Sequence, residues 1–186
     1  MTLKSVFSGS ILLLALGLSA APAIFAQQRI IITRSQTGRV SSDTDRNSRR
    51  SSRSVESEER AIFDLINEER RKKGLGDLEW DGRLAGVARD YSRRMAREDF
   101  FSHYDRDGNS VVERARDSNV RDWRQIGENL FYCEGYDQFD ELAVRGWMKS
   151  PDHRRNILDR RFNASGIGIA RARDGRIYIT QVFIER

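Results

Sequence analysis

Three side chains in this sequence have the chemistry of a polar site. The chain has only two histidines, His103 in Ser-His-Tyr-Asp and His153 in Ser-Pro-Asp-His-Arg. Between them, Glu128 lies among apolar neighbours, so its carboxylate must be paired, hydrogen-bonded or protonated if it is buried. Two imidazoles and a carboxylate that converge could bind a divalent metal such as Zn²⁺, or could transfer protons near neutral pH. We take all three as candidate metal ligands and candidate catalytic residues.

These residues also have a structural interpretation, and the spacing does not decide between the two. A histidine is more often a hydrogen-bonding group than a ligand, and the sequence has no histidine pair on one helical turn. Ser102 and Ser150 precede the histidines but lack the Gly-x-Ser-x-Gly context of a nucleophile, and Ser150 has a simpler role as a helix cap before a proline. Cys133 has no adjacent base, and we interpret it as a small buried residue.

The residues that must position this site are predicted to lie on and between helices. Apolar residues recur at intervals of three and four after Ser57 and again after Asp81, two residues that we expect to cap helices. Residues 100–109 are rich in Asp and Gly and predict a loop, followed by a shorter helix around residues 110–117. Pro151 suits the first position of a later helix.

The chain ends in a predicted antiparallel hairpin. Apolar runs at residues 166–170 and 177–184 flank Asp174-Gly175, which is a signal for a two-residue hairpin loop. Helices followed by a terminal sheet predict an α+β fold in which the helices pack against the sheet.

The first 57 residues divide into two segments that precede the folded domain. Residues 1–26 have one early lysine, an apolar run and then small residues, the layout of a secretory signal peptide. We expect cleavage after Ala23 or Ala26. A membrane anchor is the alternative, but the apolar run falls short of the roughly 20 residues of a membrane span. Residues 27–57 are rich in Arg and Ser and predict a disordered linker, with one apolar patch at residues 30–32 that predicts either a short strand or an adhesive spot.

The positive charge of the chain lies in these first segments. The net charge is +5, but residues 58–186 carry equal numbers of basic and acidic residues. A neutral folded domain argues against a nucleic-acid partner. The basic linker could associate weakly with an anionic cell envelope, although a solvated spacer is the simpler interpretation. With a single cysteine there is no internal disulfide, so the stability must come from a hydrophobic core.

An ordered series of short motifs resembles the CAP superfamily of SCP-like extracellular domains, which includes cysteine-rich secretory, antigen five and pathogenesis-related proteins, and most closely its short bacterial branch. The similarity covers residues 60–185, and each motif alone is weak, whereas the series in order is specific. The series comprises Asn67 and Arg70 before Gly74-Leu75, Leu78-x-Trp80-Asp81, Ser102-His103, Gly127-Glu128-Asn129-Leu130, Gly146-Trp147 through Leu158, Gly166-Ile167-Gly168 and Tyr178-x-Thr180-Gln181-x-Phe183.

The resemblance implies a three-layer α/β/α sandwich with a central antiparallel sheet, formed by residues 58–186. It places His103 and Glu128 at the family's cavity His and first cavity Glu, and His153 at the bacterial Ser-Pro-x-His-Arg position. Tyr178 stands where the longer eukaryotic pattern has its second histidine, and Ser150 falls near its second glutamate. A four-residue metal site is therefore incomplete, and Zn²⁺ binding would need His153 as a substitute ligand.

The family implies two functions from different classes. The first is a secreted or periplasmic, monomeric domain whose His/Glu cleft binds an extracellular ligand: a metal, a lipid, a peptide or another protein. The alternative is a metal-assisted or acid/base hydrolase, a peptidase. We favour binding, because only His103, Glu128 and His153 are available and no nucleophile with its base is evident.

Overall fold

The computed structural model describes residues 55–186, together with the backbone of two three-residue strands, β1 (Ala23–Phe25) and β2 (Ile31–Thr33). The apolar patch at residues 30–32 thus overlaps a strand. The prediction of a disordered linker over residues 27–57 is wrong at its end, because residues 55–57 begin the first helix. The remaining expectations of a signal peptide over residues 1–26 and of disorder in the linker fall on residues outside the described part and stay predictions. No helix in the described part is long and apolar enough to cross a membrane.

The described part of the chain contains five helices, and all but the fourth lie where the sequence predicts a helix. They are α1 (Val55–Arg71), α2 (Gly82–Glu98), α3 (Val111–Asp117), α4 (Asp140–Lys149) and α5 (Pro151–Ile157). The prediction of Asp81 as a cap is confirmed, because its side chain accepts hydrogen bonds from the backbone N–H groups of Arg83 (2.7 Å) and Leu84 (3.2 Å). Ser57 does not cap α1, since that helix already begins two residues earlier.

These helices pack against a mixed β-sheet. Its described strands also include β3 (Glu79–Trp80), β4 (Gln125–Glu134), β5 (Ala164–Arg171) and β6 (Arg176–Glu185). The three long strands are antiparallel in the order β4-β6-β5, which confirms the predicted antiparallel centre. The short strands pair in parallel at the edges: β3 with β5, and both β1 and β2 with β4.

The predicted terminal hairpin is present, but its loop has three residues. The backbone N–H of Ala172 donates to the carbonyl of Arg176 at 2.8 Å, which leaves Arg173, Asp174 and Gly175 in the loop. Gly175 has a φ of +89°, a left-handed conformation that closes three-residue loops. The two-residue prediction is wrong by one residue because Asp-Gly also suits this longer loop.

The sheet separates two helical layers, so the α/β/α sandwich is confirmed. Along β4, alternate side chains face opposite sides. Ile126 and Leu130 pack with residues of α2 and α3, whereas Phe131 and Cys133 pack in the larger core cluster with residues of α1 and α4. Glu128 lies between Ile126 and Leu130 in the strand, so it points to the α2/α3 side.

Two glycines of β5 bring α2 close to the sheet. A Cβ at Gly166 would lie 2.1 Å from the backbone nitrogen of Ala85, and one at Gly168 would lie 2.0 Å from that of Arg89. Only glycine permits such contact between two backbones. The close approach sets the position of α2 and therefore of Tyr91, which borders the candidate site.

Candidate functional site

Glu128 is a fully buried carboxylate with two side-chain partners. Its exposed fraction is 0%. His103 Nδ1 lies 2.7 Å from Oε1, and Arg114 Nη2 donates to Oε2 at 2.6 Å. Burying a carboxylate is costly unless it is paired and hydrogen-bonded, and both oxygens are occupied here. The structure therefore brings His103 and Glu128 together and adds Arg114, which the sequence analysis did not identify.

Side chains of α2 and α3 form hydrogen bonds with the loop that contains His103. The Tyr91 hydroxyl donates to the carbonyl of Ser102, while Arg114 Nη1 donates to the carbonyls of His103 (3.3 Å) and Asn109 (2.8 Å). Because one guanidinium binds both the loop and Glu128, it fixes the imidazole against the carboxylate. The His103 side chain remains 13% exposed, so it is the member of the pair that solvent or a ligand can reach.

Arg114 is itself enclosed. Its guanidinium carbon lies 3.4 Å from the ring centre of Tyr91, a cation–π contact, and its side chain is 11% exposed. It extends from α3, whose N-terminus has a capping box between Ser110 and Glu113. No spacing singles it out in a sequence with 33 basic residues.

His153 is buried in a different environment. Its exposed fraction is 0%, and its Nδ1 lies 2.7 Å from Ser150 Oγ. Its Nε2 has no hydrogen-bond partner in the described part of the chain. Burial, with a smaller contribution from the nearby His103, lowers the pKa of His153 to about 4. His153 is therefore a neutral imidazole at neutral pH.

The side-chain amides of Asn129 and Asn156 connect α5 to β4 next to Glu128. Asn129 Nδ2 donates to the carbonyl of His153 at 3.1 Å. Asn156 Nδ2 donates to the carbonyl of Glu128 at 3.2 Å and to Asn129 Oδ1 at 2.9 Å. Asn156 thus bridges two residues of the strand. This network fixes the relative positions of the strand that carries Glu128 and the helix that carries His153.

The donors at this site do not fit the three-ligand metal site suggested by the sequence. Among the described residues, no group of three His, Cys, Asp or Glu side chains is arranged to hold a metal ion. Arg114 adds an electrostatic argument, because its guanidinium already neutralises Glu128 and occupies one of the two oxygens. A divalent cation at that carboxylate would also be repelled by this buried positive charge.

Of the two serines and the cysteine, only Ser150 lies within hydrogen-bond distance of a histidine, and both members of that pair are buried. Ser150 occupies the N-cap position of α5, as predicted, but its Oγ pairs with the His153 side chain and makes no capping hydrogen bond. Ser102 Oγ accepts from the backbone N–H of Tyr104 at 3.1 Å. Cys133 is buried, as predicted, and burial raises the pKa of its thiol to about 11.

A pocket of about 210 Å³ borders the other side of Arg114. Tyr91, Arg94, Asp105 and Asn109 also line it. Arg94 Nη1 donates to the nearly buried Asp105 carboxylate at 2.7 Å. This part of the pocket wall is therefore charged, but the two charges are paired with each other. The pocket is smaller than the roughly 300 Å³ of a small drug-sized site and has room for a small polar group.

Sequence comparison identifies the family. Residues 63–183 match the model of the CAP, or cysteine-rich secretory protein, family. The chain is 37% identical over 130 residues to the membrane protein YlbC of Bacillus subtilis (strain 168), covering 69% of this chain and 34% of YlbC. It is 33% identical over 131 residues to YkwD of the same organism, covering 70% of this chain and 48% of YkwD. The chain thus matches less than half the length of these relatives.

Solved structures agree on the fold. An extracellular protein containing an SCP domain from Bacillus anthracis superposes with a TM-score of 0.61 at 28% identity, covering 81% of this chain and 45% of that one. An outer surface protein of Borrelia burgdorferi gives 0.64 at 20% identity, covering 72% and 96%. A cysteine-rich secretory protein from Staphylococcus aureus gives 0.56 at 21% identity, covering 71% and 39%. With its sandwich fold and its matched motifs, this chain belongs to the CAP family.

Proposed function

We propose that this chain is an exported CAP-domain protein that binds a ligand at the site formed by His103, Glu128 and Arg114. The observation that carries the proposal is the fully buried Glu128 carboxylate, 2.7 Å from an imidazole that is still partly exposed. A buried ion pair contributes little net stability compared with apolar packing, so its use beside an accessible side chain favours a functional role.

Export is supported by two independent features. Residues 1–26 have the composition of a signal peptide. The structural neighbours include a protein described as extracellular and one described as an outer surface protein. A monomeric domain in that compartment would meet lipids, peptides and other proteins, and its basic linker could associate with the envelope.

Calorimetric titration of three probes tests the proposal: phosphatidylglycerol vesicles, a pool of tryptic casein peptides, and ZnCl₂. We expect an organic probe to bind the wild type and Glu134→Gln alike, since Glu134 lies exposed at the end of the same strand. Binding should weaken at least about tenfold in His103→Asn, which removes the accessible imidazole. Equal binding to His103→Asn, or no binding of either organic probe, would overturn the proposal.

A hydrolase is the second candidate, and the His103–Glu128 pair favours it. A carboxylate that orients an imidazole is the arrangement of a general base. Arg114 opposes this role, because its positive charge offsets the negative charge of the same carboxylate. The test is casein cleavage by the wild type and by His103→Ala/Glu128→Ala, with and without a chelator. Cleavage that is lost in the double variant and also in His103→Asn, which keeps the Glu128–Arg114 ion pair, would favour the hydrolase. Cleavage that persists in the double variant would remove this site from the reaction.

A further inference from the structure

Strand β4 has one side that the main sheet does not cover. Over its ten residues it pairs with β6 on one side only. On the other side it pairs with β1 and β2, two short strands from the N-terminal part of the chain. A long edge strand presents unpaired N–H and C=O groups that readily accept another strand. The chain segment that pairs with this edge therefore determines whether another strand can bind there.

The strand β1 lies next to the candidate site. It is parallel to β4, with Ala23 opposite Ile126, Ile24 opposite Gly127 and Phe25 opposite Glu128. It also lies next to α5, the helix that carries His153. An extended backbone thus runs along β4 at the level of the Glu128 ion pair and next to α5, which also contacts β4 directly.

Export would remove this strand and leave β2 in place. Cleavage after Ala23 divides β1, and cleavage after Ala26 removes all of it, whereas β2 begins at Ile31. The backbone edge at residues 126–128 then loses β1, although the carbonyl of Glu128 keeps its hydrogen bond from Asn156 Nδ2. A buried backbone group without a hydrogen bond costs free energy comparable to a lost hydrogen bond, so the opened edge favours a new occupant.

A second observation points to an absent polar partner at the same place. His153 Nε2 is buried and has no hydrogen-bond partner among the described residues, where it is one of four such buried side-chain atoms, and most buried polar atoms in proteins have a partner. His153 is on α5, and β1 lies alongside that helix. The opened strand edge and the helix that carries the unsatisfied imidazole nitrogen are therefore neighbours.

We propose that in the exported chain the edge of β4 at residues 126–128 binds an extended peptide segment of another protein, which adds to the sheet as a parallel strand in the place of β1. The proposal rests on the function proposed above and names its ligand class. Main-chain hydrogen bonds supply the affinity in this mode of recognition, and the bound segment's side chains supply the specificity.

The chemistry of the edge selects an uncharged, apolar segment. Glu128 is already neutralised by Arg114, so a charged side chain beside it would be buried without a partner. The segment that occupies the edge in this structure, Ala23-Ile24-Phe25, is itself uncharged and apolar.

The experiment measures binding of a fluorescein-labelled peptide with the sequence of residues 21–27. It uses the full chain and its Ile24→Pro/Phe25→Pro variant, because two prolines in β1 remove its backbone donors and release the strand. We expect the peptide to bind the variant at least about tenfold more tightly than the wild type, whose own β1 competes for the edge. Equal affinity for the two proteins, or no binding to either, would overturn the proposal.

Two N-methylated peptides test the mode of binding. In a parallel ladder, alternate residues direct their N–H groups to the same neighbour, so only one of Ile24 and Phe25 donates to β4. N-methylation at that residue should weaken binding about fivefold to tenfold, the equivalent of one hydrogen bond, and N-methylation at the other should change it little. Equal effects of the two modifications would exclude strand addition.

The experiments can refute either of the two proposals without refuting the other. If casein peptides or vesicles bind in a His103-dependent way while the residue 21–27 peptide does not bind the proline variant, the ligand site stands and strand addition is wrong. If the labelled peptide binds with the expected N-methyl pattern, but binding is unchanged in His103→Asn, the edge is a binding surface that acts without the imidazole.

Discussion

Arg114 Nη2 lies 2.6 Å from Glu128 Oε2, and this buried ion pair joins helix α3 to strand β4 beneath the candidate site. It leaves Glu128 Oε1 for the imidazole of His103. The pair therefore determines both the charge of the site and the position of its accessible histidine.

Glu128→Gln should be strongly destabilising. The substitution leaves the Arg114 cation buried without its counter-ion, and breaking such a pair costs about 3–5 kcal/mol in the free energy of unfolding. Urea denaturation measures the loss. The matched control is Glu134→Gln on the same strand, an exposed position where we expect a change within about 0.5 kcal/mol. Similar stabilities for the two variants would show that the ion pair does not hold this part of the fold.

A second buried carboxylate, Glu59, should be important for stability but not for binding. It is 0% exposed and accepts hydrogen bonds from Arg89 Nε (2.9 Å) and Nη2 (2.6 Å), which ties α1 to α2. Arg89 is 30% exposed, so water can partly solvate it once Glu59 is changed. We expect Glu59→Gln to cost about 2–3 kcal/mol, less than a fully enclosed pair. Glu68→Gln, at an exposed position of the same helix, is the control, and an equally large loss there would refute the assignment.

Two glycines should respond to alanine in opposite directions. Gly168→Ala would place a Cβ 2.0 Å from the backbone nitrogen of Arg89, so strand and helix must separate. We expect a loss at or above the upper end of the roughly 1–3 kcal/mol typical of overpacking. Gly86→Ala, in the interior of α2 with open space around its Cβ, should stabilise by about 0.5–1 kcal/mol. Thermal denaturation compares them, and a Gly168→Ala protein as stable as the wild type would contradict the close contact.

The buried neutral His153 should make the fold sensitive to mild acid. Its pKa is lowered from 6.5 to about 4, so between these pH values the unfolded chain binds a proton that the folded chain does not. The stability contribution is complete above about pH 6.5 and is lost as the pH falls towards 4, by about 3 kcal/mol in total. Urea unfolding at pH 7 and pH 4.5 should therefore show a smaller loss for His153→Gln than for the wild type. Equal losses would mean that His153 titrates normally in the fold.

Local sequence signals predicted most of the fold. The helix caps, the apolar periodicity and the Asp-Gly turn act over a few residues, and so they located α2, α3, α5 and the terminal hairpin. The parallel edge strands could not be predicted in this way. Their pairing joins Glu79 to Ala164 and Ile31 to Tyr132, residues about 85 and 100 positions apart, and no short pattern records such a partner.

The candidate site was predicted only in part for the same reason. Burial of Glu128 among apolar neighbours correctly implied a partner, and His103 is one. Arg114 belongs to a short helix of ordinary composition, and only the three-dimensional packing of α3 on β4 directs it to the carboxylate. Without Arg114, a histidine and a glutamate suggest a metal site; with Arg114, the same residues form a site whose charge is already compensated.

We expect Arg114, and not a metal ion, to neutralise the Glu128 carboxylate. Calorimetric titration of Zn²⁺ at neutral pH into the wild type, His103→Ala and Arg114→Ala tests this directly. We expect no micromolar binding to the wild type. Micromolar or tighter binding to the wild type that is lost in His103→Ala and kept in Arg114→Ala would contradict it, and would make this a metal site in which the guanidinium has no essential part.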